Sequence, residues 1–365
     1  MVHTGELFYP LDGKQELATH IRTLPDTDIV YDYKKDGKSY RKTTNKSYSD
    51  RGITSLDVRT IVNDGFCQTY LKCRVNFSKL AYPDDKTNKI DIITPFESRT
   101  VEENFNKLAA AIGMPLFEYW TVHRLDYCIQ VKTPYVKEYI KLFKKGDRKG
   151  YINELDGNNN RTDKPGSLYL VRNTKNKRYR GFTINFYDKY DQLSKEEDTS
   201  PELLEASKDI LRLEVQCFKP KLEYIKKKYN FENKLIINFL DENICEDIIG
   251  QYIKEIIGDA DYHRKSKALK RIENAKLQTS TKRDLKQIIE AVAKQHQSID
   301  KVRKKGILKA DVYNRRIKQL YEMNINPVTI SDTAPKMENK TIYDGLPSIY
   351  PLFIKAVELE AYRDV

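Results

Sequence analysis

The 365-residue sequence is poor in the residues that build disulfide frameworks and metal clusters: it has five cysteines and five histidines, with four methionines and one tryptophan. The cysteines (Cys67, Cys73, Cys128, Cys217, Cys245) are odd in number, widely spread and without a CxxC pair, which fits reduced thiols rather than a disulfide scaffold or a zinc site. The histidines (His3, His20, His123, His263, His296) form no His-x-His pair. Long apolar runs are also missing. Stretches such as Ala109 to Ile112 fall far short of the roughly 20 residues needed to cross a bilayer, so no membrane partner is expected. The start, MVHTGELFYPLDGKQE, has no basic region followed by an apolar one, so no secretory signal is expected and the reading is cytoplasmic. GxGxxG after a strand, GxxxxGK[ST], HExxH and GxSxG are all absent, which removes the common nucleotide, zinc-protease and serine-hydrolase signatures.

What is present is basic charge in two blocks. Net charge is 65 minus 53, or +12; residues 261 to 320 hold 18 basic against 6 acidic residues, and 131 to 190 hold 15 against 6. Both blocks adjoin tyrosines and amides (Tyr151, Asn158 to Asn160, Tyr169, Tyr179; Tyr313, Asn314). That mixture suits phosphate contact and base stacking, so nucleic acid is the expected partner. A Lys-rich solvated surface is the plain alternative.

Along the chain, residues 1 to 50 carry many turn formers and predict short strands in which little function is legible. Alternation at Thr69 to Phe77 predicts antiparallel strands. Thr100 and Glu103 have capping-box spacing, and Val101, Phe105, Leu108 and Ile112 then repeat at helical period up to Gly113. A strand over Tyr119 to Val131 precedes a helix bearing Val136, Ile140 and Phe143. Residues 146 to 165 read as a loop able to meet DNA, and Ser167 to Arg172 with Gly181 to Tyr187 as a hairpin around a basic turn at 173 to 180. After the strand Asp209 to Cys217 the pattern turns helical. The expected fold is α+β: an antiparallel sheet flanked by helices over residues 1–225, followed by a helical, basic DNA-binding region over 226–365. Within the latter, a helix around Leu285 to Val292 and another around Tyr313 to Tyr321, linked through Gly306, suggest helix-turn-helix, with Arg315, Arg316 and Lys318 on the exposed side of the second.

Three strands could carry chemistry. Period-two geometry places Arg124, Asp126 and Cys128 on one face of the first, with His123, Leu125 and Tyr127 on the other. On Leu211 to Gln216, Arg212 and Glu214 share a face. If the strands are neighbours, Asp126 and Glu214 offer oxygen ligands to a divalent cation, or else form structural bridges with the arginines. The third strand ends in Tyr187, with Lys189 two positions on; a tyrosine can attack a phosphodiester, and it can equally be a strand-end core residue.

In their order, these segments resemble the rolling-circle replication initiators of the filamentous-phage gene II/X family and, more remotely, plasmid Rep_trans initiators. The helix Glu102 to Ile112, Arg124-Leu125-Asp126, Phe186-Tyr187-Asp188-Lys189 and Leu211-Arg212-Leu213-Glu214 carry the likeness, which returns weakly at Tyr313 to Ile330 and covers roughly residues 100 to 330. The resemblance implies an HUH-superfamily endonuclease. Tyr187 would cut one strand at an origin, stay joined to the 5′ phosphate, leave a 3′ hydroxyl for a host polymerase and later rejoin the strand; many HUH enzymes carry the nucleophile on a helix, so Tyr190 is the reserve, and the favoured candidate if its segment is helical. Asp126 and Glu214 would hold Mg²⁺ or Mn²⁺, with His123 the one histidine near the strand where the superfamily carries a His-hydrophobe-His pair. Lys189 would assist at the phosphate, and Arg124 and Arg212 would contact DNA or brace the carboxylates. Origin DNA, a host helicase and a polymerase are the implied partners. A mobilisation relaxase would share this chemistry; a non-catalytic DNA-binding protein would need only the C-terminal helices, and a tyrosine recombinase would need an Arg/His cluster and no metal.

Overall fold

The computed structural model describes every residue except 1, 36–37, 64–65, 86–89, 91, 94–96, 149, 154–165, 173–180, 198, 295–296, 334–344, 347 and 349–365. Most of the expected loop at 146 to 165, the basic turn at 173 to 180 and His296 lie outside the described residues.

Ten antiparallel strands form one sheet. In chain order they are β1 (Val2–Pro10), β2 (Thr27–Lys35), β3 (Lys38–Asn45), β4 (Ile53–Asn63), β5 (Phe66–Asn76), β6 (Thr121–Lys132), β7 (Tyr151–Asn153), β8 (Ser167–Arg172), β9 (Phe182–Asp188) and β10 (Ile210–Phe218). Their spatial order is β2-β3-β4-β5-β1-β6-β10-β9-β8-β7. The strands read from alternation at 69–77, 119–131, 167–172, 181–187 and 209–217 are all present, displaced by one to three residues where they differ. The first strand departs from expectation. Instead of a peripheral element it pairs with β5 on one side and β6 on the other, at the middle of the sheet.

Side-chain alternation divides the sheet into an apolar and a polar face. Leu7, Val122, Leu125, Tyr127, Ile129, Leu211, Leu213, Val215, Ile184 and Phe186 are buried on the apolar face. Three helices cover it: α4 (Val136–Phe143) packs on β8 and β9, while α7 (Lys219–Lys228) and α8 (Glu242–Ile256) pack on β6 and β10. Tyr127 stays in this core because its hydroxyl donates to the Phe239 carbonyl at 3.0 Å. Of the remaining N-terminal helices, α1 (Gln15–Arg22) lies against β4 and β5, and α2 (Phe77–Ala81) against α3 (Ser98–Ile112). The α3 helix begins two residues before Thr100, and Glu103 pairs with Arg99 rather than closing a capping box. Its end is as read, at Gly113 with φ of 66°, a left-handed cap that glycine adopts without strain.

After β9, α5 (Lys189–Leu193) and α6 (Pro201–Ala206) lead into β10. The C-terminal part holds α9 (Lys265–Asn274), α10 (Thr279–Ala293), α11 (Ile299–Lys304), α12 (Ala310–Glu322) and a two-residue ribbon of β11 (Tyr262–His263) with β12 (Gly345–Leu346). One apolar core runs from Val2 through the sheet and these helices to Leu346. Residue 225 thus marks a change from sheet to helix inside a continuous core. The two helices expected in succession, α10 and α12, are separated by α11. Among the described residues no helix is long and apolar enough to cross a membrane.

Candidate functional site

The three strands singled out by their sequence are immediate neighbours: β6 and β9 flank β10 on either side. Register brings their polar residues together. Glu214 lies opposite Cys128 and Asn185, Gln216 opposite Asp126 and Thr183, and Arg212 opposite Gln130 and Tyr187. All of these project from the polar face. Tyr187 is 7% exposed and its hydroxyl donates to Glu214 Oε2 at 3.3 Å. The other Glu214 oxygen accepts from Gln216 Nε2 at 2.7 Å, and Gln216 in turn accepts from Thr183 at 3.0 Å. Tyr187 and Glu214 open into a cavity of about 440 Å³ that Asn185 and Asp188 also line.

Asp126 is fully buried and held on both oxygens. Arg124 grips it with two hydrogen bonds, of 2.9 and 2.6 Å, and the Thr4 hydroxyl donates to Oδ2. Burial, and after it the neighbouring Glu214 charge, raise its pKa to about 7 against the pull of Arg124 and Thr4. Arg212 is fully buried too; its Nη2 donates to Gln130 at 2.7 Å and to the Ile90 carbonyl. Lys189 does not continue the strand. Asp188 ends β9 and caps α5 by accepting from the Asp191 amide, so Lys189 is the first helical residue, with its amine donating to Gln192 at 2.9 Å. Burial, then the Arg212 charge, bring the Lys189 pKa down to about 7. For Tyr187 burial comes first and Glu214 second, and both push the phenol well above its usual value.

The cluster contains an excess of unmet polar atoms. Eight buried side-chain nitrogens and oxygens among the described residues have no hydrogen-bond partner, and four of them are here: Arg212 Nε and Nη1, Asn185 Oδ1 and His3 Nε2. Native interiors satisfy almost all such groups, because each unmet one costs on the order of 1–3 kcal/mol.

His3, Thr4 and Glu6 are the residues that sequence reading missed. Two register shifts interrupt the β1–β6 pairing, one between Val2 and Gly5 and one between Glu6 and Leu7. At the first, His3 and Thr4 together stand opposite Asp126, and both turn toward the polar face. Gly5 permits this close approach: a Cβ there would lie 3.1 Å from the Phe77 ring and 3.3 Å from the Arg124 carbonyl. Burial, and then Arg212 and Lys189, hold the His3 ring well below its usual pKa, so it is neutral.

The second shift corrects His123. Strict alternation puts it on the face opposite Asp126, but Leu7 pairs with Val122 and Glu6 with Arg124, so His123 is the extra residue and stacks on Phe8 of the polar face. There it lines a neighbouring cavity with Lys72 and Lys219 instead of joining the carboxylates. Among the described residues no three His, Cys, Asp or Glu side chains converge as metal ligands, so the set Asp126, Glu214 and His123 does not assemble.

The C-terminal cations also separate. Arg316 is buried, and two of its nitrogens bond Asp284 Oδ2 at 3.2 and 3.1 Å, tying α12 to α10. It does not face outward with its neighbours. Arg315 and Lys318 are exposed, the latter 3.7 Å from Glu322. Tyr190 lies on the helix α5, which meets the condition for the reserve nucleophile, and it is 38% exposed; it stands outside the Glu214 contact that Tyr187 makes on β9. The chain matches no family profile, no curated protein and no solved structure.

Proposed function

We propose that this protein nicks and rejoins one DNA strand at a replication origin, with Tyr187 as nucleophile. The observation that carries the reading is the Tyr187 hydroxyl hydrogen-bonded to Glu214, at a cavity, beside a buried arginine with unmet N–H groups. Glu214 Oε2 accepts the phenolic proton as Tyr187 Oη bonds to phosphorus. The P–O3′ bond breaks, and the Lys189 ammonium gives its proton to the leaving oxygen, since a pKa of about 7 suits it to donate and recover a proton. The products are a 5′-phosphotyrosine link and a free 3′ hydroxyl, which a host polymerase extends while a helicase displaces the strand. Rejoining is the reverse, the 3′ hydroxyl returning its proton to Lys189. Arg212 meets the charge on the phosphoryl oxygens.

Asp126 and Glu214 are two carboxylates whose mutual repulsion a cation would relieve, and Mg²⁺ commonly binds through one or two carboxylates plus substrate phosphate. They would hold Mg²⁺ or Mn²⁺, which when bound adds charge stabilisation at the phosphoryl group. A mobilisation relaxase cutting a transfer origin would use the same residues in the same roles. The experiment is incubation with supercoiled plasmid bearing the cognate origin and either metal. Wild type and Tyr190→Phe are expected to give nicked circles with protein attached, and Tyr187→Phe none. Attachment that survives in Tyr187→Phe removes the assigned nucleophile. Tight origin binding by wild type without nicking returns the cluster to a structural role.

A further inference from the structure

A cavity on the polar face lies beside the Tyr187 site and plays no part in the chemistry above. Its volume is about 760 Å³, and its wall includes Phe8, Tyr70, His123, Arg59, Lys72 and Lys219. Three rings stand in a row. Phe8 and His123 are stacked, with centroids 4.3 Å apart and planes 18° from parallel, and Tyr70 lies 4.7 Å from Phe8 on its other side. Cations border the rings. Lys72 bonds Glu6 at 2.5 Å, and Glu6, the carboxylate in the wall, is also engaged by Arg74. Arg59 bonds Asp57 at 2.7 Å. Lys219 has no carboxylate within ion-pair distance among the described residues.

His123 behaves here as a flat apolar ring. Burial, followed by Lys219, Lys234 and Lys72, lowers its pKa to about 3, so it is neutral wherever the protein works. A neutral ring does not compete with these lysines for a phosphate. The cavity lies one hydrogen-bond relay from the Tyr187 cluster: Thr183 in its wall donates to Gln216, which donates to Glu214. Rings for base faces, cations for phosphates and adjacency to the Tyr187 cluster describe a strand-binding trough.

We propose that this trough holds the single-stranded DNA adjoining the cleavage point, with bases stacked on Tyr70 and His123, the outer rings of the row packed on Phe8, and phosphates met by Lys219, Lys72 and Arg59. The choice of DNA rests on the function proposed above; the stacking and phosphate contacts rest on the trough alone. Much of its wall comes from β1, β4 and β5, strands that precede the region of family resemblance.

The test is fluorescence anisotropy of a labelled single-stranded oligonucleotide over a salt series, using the full chain. Phe8→Leu keeps an apolar side chain and removes the ring against which His123 and Tyr70 are packed, so the stacking platform is lost and affinity is expected to fall roughly ten- to hundredfold. Replacing the bases of the oligonucleotide by abasic sites is expected to weaken binding to wild type and to add little to the loss in Phe8→Leu. For Lys219→Ala the slope of log affinity against log salt is expected to shrink by about 0.7, the share of one phosphate on a single strand. Circular dichroism and a urea midpoint matching wild type show that both variants are folded. Wild-type affinity in Phe8→Leu together with an unchanged salt slope in Lys219→Ala overturns the proposal. So does a nucleoside monophosphate that binds with the same Phe8 dependence while the oligonucleotide does not bind. Strand binding that depends on Phe8, with no covalent product at Tyr187, upholds the trough and sinks the nicking reaction instead.

Discussion

Replacing Arg212 by methionine separates a cation kept for the fold from one kept for a substrate. Arg212 makes two hydrogen bonds through Nη2 and leaves Nε and Nη1 unmet. Hydrogen bonds to a charged group contribute about 1.5–3 kcal/mol each, so the two made are together worth about 3–6 kcal/mol. Two unmet buried donors cost about 1–3 kcal/mol apiece, or about 2–6 kcal/mol together. Methionine has a similar length, removes the buried charge and leaves the Ile90 carbonyl unpaired, and these last two effects oppose one another. The opposing contributions nearly cancel. The Arg212→Met protein is therefore expected to unfold in urea within ~2 kcal/mol of wild type, by linear extrapolation, yet to lose covalent attachment to a single-stranded origin oligonucleotide. A loss of ~3–5 kcal/mol, about the worth of the two hydrogen bonds to a charged group, refutes the reasoning, because Arg212 would then be held for stability. Full attachment by a stable Arg212→Met protein refutes the phosphate contact.

Other outcomes follow from the same geometry. Arg316→Ala is expected to cost ~3–5 kcal/mol in urea unfolding by stranding Asp284, whereas Arg315→Ala is expected to leave stability within ~0.5 kcal/mol and to lower the salt slope of double-stranded origin binding; equal stability effects would contradict the difference in burial. Attachment should depend on pH as a bell centred near 7: Asp126, raised to about 7, must lose its proton as pH rises, while Lys189, lowered to about 7, must keep its own and loses it on further rise. Lys189→Arg is expected to abolish the alkaline limb and keep the acidic one, and an unchanged profile would remove Lys189 as the proton donor. The same shifts act on stability in opposite senses. The raised Asp126 favours the fold below its unfolded pKa near 4, a contribution lost as pH rises through 7. The lowered Lys189 favours it above its unfolded pKa near 10.5, a contribution lost as pH falls through 7.

Much of the sheet was legible because alternation is a local signal. Ser167–Arg172 matches the sequence reading residue for residue, and the grouping of Asp126, Glu214, Arg212 and Tyr187 on one face follows from period two once β6, β10 and β9 are adjacent. What failed was local regularity. The inserted residue at His123 reverses the face that strict alternation assigns, and the one at His3 and Thr4 hid two members of the cluster in a segment read as short strands of little legible function. Bulges leave no composition signal beyond a glycine such as Gly5. Arg316 was misread for a different reason: helical period allows an arginine at the boundary of the apolar stripe to turn either way, and Asp284, which turns it inward, lies 32 residues earlier. The capping box at Thr100 gave way to tertiary packing that starts the helix at Ser98.

The position of β1 has a consequence for how the chain acquires its shape. The strands β2 to β5 form a consecutive meander on one side, β6 to β10 lie on the other, and β1 is the sole strand joining them. The first strand to be made must therefore wait some sixty residues for β5 and well over a hundred for β6. Such distant pairings impose a large loop-closure entropy and slow folding. The joining of β1 to β6 is what brings Thr4 onto Asp126, so a chain that has not made this pairing lacks that contact.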